Sequence, residues 1–179
     1  YGDALADVRH SVVATDASRL PQVGFETGRI YAGLRGVVPV FADPTQHVDG
    51  VTTLGAAESF PQGMPEVYVG TLEVGTSYDV MLGALADAIP YEAAALLERH
   101  HVEQAMWEER IQDHFIDTGA CSCLVEASTS PQITTLLRQY NQPLTTTTTV
   151  REITLADRRH ALINFPLRDY LGQQDPTRE

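Results

Sequence analysis

An arginine and a glutamate, each set in a β-type segment, carry the clearest chemistry in this sequence. Along residues 31–41 (YAGLRGVVPVF) side chains alternate, so Tyr31, Gly33, Arg35 and Val37 share one face. Along residues 67–77 (VYVGTLEVGTS) the same alternation places Thr71, Glu73, Gly75 and Ser77 together. If the two segments pair, Arg35 and Glu73 come within reach of each other. A charge inside an otherwise apolar strand is costly unless it is paired or binds something. Two readings follow. One is a cross-strand ion pair; the other is a ligand pocket in which Arg35 presents its five-donor fork to a carboxylate. On the second reading the ligand is a small organic acid or amino acid. Tyr31 and Tyr78 then form walls, and Glu73 or Asp79 is available for an amine.

Other chemistries lack their partners. Glu98 and His101 have the E-x-x-H spacing of carboxylate-bridged di-iron helices, but that centre needs a second copy and two further carboxylates, and no second copy occurs. H-E-x-x-H, C-x-x-C-H and G-x-S-x-G are all absent, and Gly33-Leu-Arg-Gly36 lacks the strand-to-helix setting of a phosphate loop. Cys121 and Cys123 are separated by one serine; in an extended segment their Cα atoms lie roughly 6.5–7 Å apart, which disfavours a disulfide. They read as two thiols at the start of a strand. The residues therefore suit binding, not catalysis, and imply no metal or cofactor.

The whole composition narrows the partners. The 179 residues are 43% hydrophobic and 20% charged, a folded-protein balance with length for one domain or two small ones. Twenty-four acidic residues face twelve basic ones, all arginine, for a net charge of −12. Such a surface repels nucleic acid and anionic lipid. No run of 18 apolar residues occurs, so membrane contact would come only through flanking segments. A first residue Tyr1 makes the chain read as a piece of something longer.

Several elements must position these residues. Residues 1–13 read as a helix tail or lead-in, followed by a turn at Thr15-Asp16-Ala17-Ser18. Residues 42–66, rich in Gly, Pro, Thr and Asp, form a long loop between the two strands. Thr76-x-x-Asp79 has capping-box spacing ahead of an apolar helical series, Met81, Ala84, Leu85 and Ala88, that ends at Pro90. A long helix is predicted over 91–115, with Trp107, Ile111 and Phe115 in one stripe. A strand over 121–127 follows, then a helix opened by Ser130-Pro131 and stopped at Asn141-Gln142-Pro143. Strands over 145–155 and 159–167 close the pattern, joined by a turn at Ala156-Asp157-Arg158.

A weak repeat links the two halves. Gly36-Val-Val-Pro39-Val-Phe-Ala-Asp43 and Ile163-Asn-Phe-Pro166-Leu-Arg-Asp169 each run an apolar strand into a proline and then an aspartate. With VGTLEVGTSYD (69–79) leading into a helix, LRGVVPVF (34–41) resembles the membrane-distal half of a double Cache sensor, and FPLRDYLG (165–172) resembles its proximal half. These are tandem PAS-like extracytoplasmic modules of bacterial chemoreceptors, histidine kinases and diguanylate cyclases. The resemblance spans about residues 12–172; it departs from the family at the 42–66 insertion and at a missing last strand.

The expected fold is α+β: a PAS-like antiparallel-sheet unit over 1–90, a connecting helix over 91–118, and an incomplete second unit over 119–179. The resemblance implies a non-enzymatic, periplasmic input domain that binds a small molecule, signals to a cytoplasmic output module and associates as a weak homodimer at most. The alternative is an interaction module that dimerises through the long helix without a small ligand.

Overall fold

A computed structural model describes residues 8–42, 67–119, 121–140, 144–155 and 157–174. The predicted 42–66 loop, apart from Ala42, and the helix stop at 141–143 lie outside the described residues, as does Asp43 of the repeat. The architecture is α+β, with three small antiparallel sheets and six helices among the described residues.

The first sheet has the order β1-β2-β3, formed by Gln22–Thr27, Ala32–Ala42 and Val67–Ser77. The predicted pairing of 33–41 with 67–77 is present, Arg35 lying opposite Gly75 and Val37 opposite Glu73. Pro39 has no N–H to donate, and the β1 side of the ladder indeed ends at Val37, whereas the β3 side runs on through Pro39 to a bulge at Val40/Phe41. Helix α1 (His10–Ser18) packs on all three strands. It includes the predicted turn at Thr15–Ser18; the chain turns one residue later, where Arg19 takes the left-handed conformation at φ 59°.

Helix α2 (Tyr78–Ala88) follows β3 and ends before Pro90 as expected. The capping box does not form: Ser77 is the N-cap without a side-chain bond, and Asp79 reaches His114 instead.

The long helix over 91–115 is not present. Residues Ala94–Glu98 form strand β4, followed by two short helices, α3 (Arg99–Ala105) and α4 (Glu108–His114), with Met106 and Trp107 extended between them. The cause is the neighbouring strand β6 (Cys123–Ser128), whose first five residues are all buried. Buried backbone polar groups need partners on both edges of the strand. β4 supplies one edge and the two-residue β5 (Ile116–Asp117) the other, giving a second sheet of order β4-β6-β5. Val102, Met106 and Leu124 form a core beneath it, packed by Leu97, Ile111 and Phe115. Trp107, the third member of the expected stripe, is 44% exposed.

Helix α5 (Pro131–Gln139) starts as predicted, with Ser130 Oγ accepting from the Ile133 N–H at 3.4 Å. The third sheet is the predicted hairpin, shortened to β7 (Thr149–Leu155) and β8 (Arg158–Asn164); Asp157 takes φ 60° in its turn. Thr145–Thr148 and Phe165–Arg168 fall outside the strands. The repeat thus diverges at its prolines, since β2 continues through Pro39 while the chain leaves β8 before Pro166. Asp169 instead bridges to Phe25 of the first sheet, and α6 (Tyr170–Gln174) packs on β1.

The cysteines also differ from expectation. Ser122 is bent, not extended, which brings the Cα atoms of Cys121 and Cys123 to 5.1 Å, within disulfide reach.

Candidate functional site

Three polar clusters lie in the described fold. The first is built on Arg35. In the β2–β3 register Glu73 lies diagonally across from Arg35, and their side chains meet on the face covered by α1. Arg35 Nη1 donates to Glu73 Oε1 at 2.6 Å and to the Tyr31 hydroxyl at 3.2 Å, while Nη2 donates to the Tyr31 carbonyl at 3.2 Å. The guanidinium also stacks over the Tyr31 ring, 4.4 Å from its centroid. Gly75, opposite Arg35, makes this approach possible: a Cβ there would lie 3.0 Å from the Tyr31 hydroxyl and 3.2 Å from Arg35 Nη1.

Glu73 holds a second cation, since Arg9 Nε lies 3.5 Å from its Oε2. Burial and the nearby Arg35 lower the Arg9 pKa, with Glu73 and Glu26 opposing. Arg35 is 1% exposed, and its Nε, like Arg9 Nη1, has no partner among the described residues. The cluster is therefore a two-arginine, one-glutamate arrangement in which Arg35 is buried and Arg9 and Glu73 are partly exposed. It realises the ion-pair reading of the sequence, in the interior and not on a solvent face.

The second cluster joins the first two sheets. Glu126 of β6 is 4% exposed; its Oε1 accepts from the Ala32 N–H at the start of β2 at 3.1 Å, and its Oε2 has no partner among the described residues. Burial raises its pKa to about 7, against the Ala32 hydrogen bond, with Asp79 adding to the rise. Tyr78 stacks on Phe25 at 5.7 Å, and burial, then Glu126 and Asp169, push its phenol up. Asp79 Oδ2 lies 3.3 Å from His114 Nε2. Tyr78 and Asp79 thus belong here, whereas Tyr31, Arg35 and Glu73 belong to the first cluster.

The third cluster surrounds a cavity of about 240 Å³. Its walls come from α1 (His10), β1 (Glu26, Thr27), α3 (His101, Gln104) and the Asp169-Tyr170 segment. Three of the polar wall residues are held by hydrogen bonds. Glu26 accepts from Ser11 N and Ser11 Oγ, both at 2.7 Å; Asp169 Oδ1 accepts from the Gly172 N–H; the Tyr170 hydroxyl donates to Gln22 Oε1 at 2.9 Å. None of Arg35, Glu73, Tyr31, Tyr78 and Asp79 lines it. No family model, curated protein or solved structure matches this chain.

Sequence reasoning missed Glu126, Glu26 and the cavity. Glu126 is signalled only as a lone carboxylate inside the apolar run Cys123-Leu-Val-Glu-Ala127. The cavity has no sequence signal, because its walls lie up to 160 residues apart in the chain. His101, whose spacing to Glu98 lacks a second copy for a metal centre, is one of those walls, and His100 meets Gln104, another of them, at 3.0 Å. Among the described residues, no three His, Cys, Asp or Glu side chains converge as a metal site, and no helix is long and apolar enough to cross a membrane.

Proposed function

We propose that this chain is a non-catalytic sensing module that binds a small molecule, the kind of unit that forms the extracytoplasmic input domain of bacterial transmembrane receptors. The observation that supports it is the 240 Å³ cavity where α1, β1, α3 and the Asp169-Tyr170 segment meet. A concave site into which a few polar groups converge is the usual form of a ligand site. A molecule bound there touches parts of the chain from both ends at once, so its arrival is felt by the first sheet and by α3 together. The helix-mediated interaction reading has less support, because Ile111 and Phe115 are used in the chain's own core.

A thermal-shift screen of organic acids, amino acids, amines and sugars tests the proposal. A ligand at 100 times its dissociation constant stabilises the fold by about 2.7 kcal/mol. The response should disappear in His101→Ala and Gln104→Ala and survive in Arg35→Met. The reverse pattern moves the site to the Arg35–Glu73 pair, and a ligand indifferent to all three variants removes both sites.

A further inference from the structure

Ser122 and the two cysteines around it sit where three elements meet. Cys123 opens β6, pairs with Glu98 of β4 and is fully buried. Cys121 lies just outside the strand and is half-buried. Between them the Ser122 carbonyl accepts from the Arg99 N–H, the first of α3, at 2.9 Å. Arg99 also reaches β5, its Nη2 lying 2.7 Å from Asp117 Oδ2. The bend at Ser122 sets the two cysteine Cα atoms 5.1 Å apart, inside the about 4.4–6.8 Å that a disulfide spans.

We propose that Cys121 and Cys123 are a reversible dithiol–disulfide pair whose redox state sets the start of α3. A disulfide stabilises a fold mainly by closing a loop in the unfolded chain, and residues two apart close a very short one. Little folding free energy therefore holds this bond shut. The half-buried Cys121 sulfur leaves it open to attack, and accessible disulfides are the labile, regulatory ones. The exchange partner is a small disulfide such as oxidised glutathione. The Cys121 thiolate attacks one of its sulfurs, forming a mixed disulfide and releasing one glutathione thiolate. Cys123 then gives its proton to solvent and attacks the Cys121 sulfur, closing the pair and releasing the second glutathione. The pair loses two electrons and oxidised glutathione gains them; two reduced glutathiones reverse the step. Bonded sulfurs lie about 2 Å apart, whereas non-bonded heavy atoms keep about 3.5–4 Å, so reduction separates the two. Cys123 is fixed in buried β6, and the shift falls on Cys121 and on Ser122, whose carbonyl holds the Arg99 N–H. Helix α3 supplies His101 and Gln104 to the cavity, so ligand binding there follows the redox state. That last consequence rests on the proposed function; the exchange chemistry does not.

The full chain is equilibrated in neutral glutathione buffers of graded redox ratio, quenched with maleimide and read by mass spectrometry. Hydrogen exchange over Arg99–Ala105 is followed in the fully oxidised and fully reduced samples. The pair should pass from dithiol to disulfide across those ratios. Cys123→Ser, or Cys123→Ala where the serine variant does not fold, should collect glutathione on Cys121 at least about tenfold faster than Cys121→Ser collects it on buried Cys123. Reduction should speed exchange at the start of α3 by at least about tenfold, and Cys121→Ser should match the reduced chain. A pair that stays thiol in excess oxidised glutathione, or stays bonded in excess reduced glutathione, overturns the proposal. So do adducts that form equally fast on either cysteine, and α3 exchange that is the same in both states. No ligand enters these measurements, so a failure of the cavity reading leaves their outcome unchanged.

Discussion

Glu73 stands within ion-pair reach of both Arg35 and Arg9, so its loss would strand two guanidiniums together. Removing one partner of a buried pair costs about 3–5 kcal/mol, because the remaining charge stays desolvated. Glu73→Ala should therefore destabilise by about that amount in urea titration, and Arg35→Met/Glu73→Leu should cost less than Glu73→Ala alone. Equal costs for the single and double variants would mean that the pair is not coupled. Glu126 makes a different prediction, in pH. Its carboxyl titrates at about 7 when folded against 4.5 as its ordinary value, so between those values the native state holds a proton that the unfolded chain has released. Its stabilising contribution is complete below pH 4.5 and is lost as the pH rises through 7. The loss is on the order of 3 kcal/mol. Asp16, held low by Tyr68 and Arg19, and Asp117, held low by the Gly119 N–H and Arg99, act in the opposite sense and only near or below 3.8, so the windows separate. Denaturant midpoints from pH 5 to 8 should fall in the wild type and flatten in Glu126→Gln. An unchanged slope in that variant assigns the effect to another group.

Which elements were legible follows from how local their causes are. The β2–β3 pairing and the meeting of Arg35 with Glu73 rest on strict alternation in two segments. The start of α5 rests on Ser130-Pro131, and the end of α2 on Pro90; each cause lies within a few residues of its effect. The 91–115 region departs from its expected helix because Ala, Leu, Glu and Arg favour a helix locally, while the decisive demand, an edge partner for buried β6, comes from residues 25–34 positions away. β1 was missed for a similar reason: Gln22-Val-Gly-Phe-Glu-Thr27 is short, and it becomes a strand by pairing with β2. The broken helix has a measurable consequence. In one continuous helix Trp107 and Ile111 would share a buried stripe and cost similar amounts on truncation. Here Leu124→Ala, at the centre of the second core, should cost about 2–5 kcal/mol, whereas Trp107→Ala, exposed between α3 and α4, should cost under about 1 kcal/mol. A large Trp107 penalty in thermal melts would restore the single-helix reading.

Across the whole molecule the electrostatics divide into two populations with opposite salt responses. The Arg35–Glu73–Arg9 cluster is an attractive arrangement built on a buried guanidinium, and ions screen such groups less than exposed ones. Most of the remaining charge is acidic and exposed, and a net charge of −12 makes the compact state repel itself. Exposed attractive pairs such as Arg19–Asp16, Arg99–Asp117 and Arg159–Glu152 are screened by solvent and contribute little. Raising ionic strength from about 0.01 M to 0.15 M shortens the screening length from about 30 Å to 8 Å, which weakens long-range repulsion across the domain more than contacts at 3 Å. The melting temperature should therefore rise over that range and then level off. Sodium chloride and sodium perchlorate at equal low concentration should act alike, because screening does not depend on ion identity. Scanning calorimetry at fixed pH and protein concentration is the measurement. A fall in melting temperature with added salt would mean that the exposed pairs, and not the net charge, dominate the electrostatic free energy of this fold.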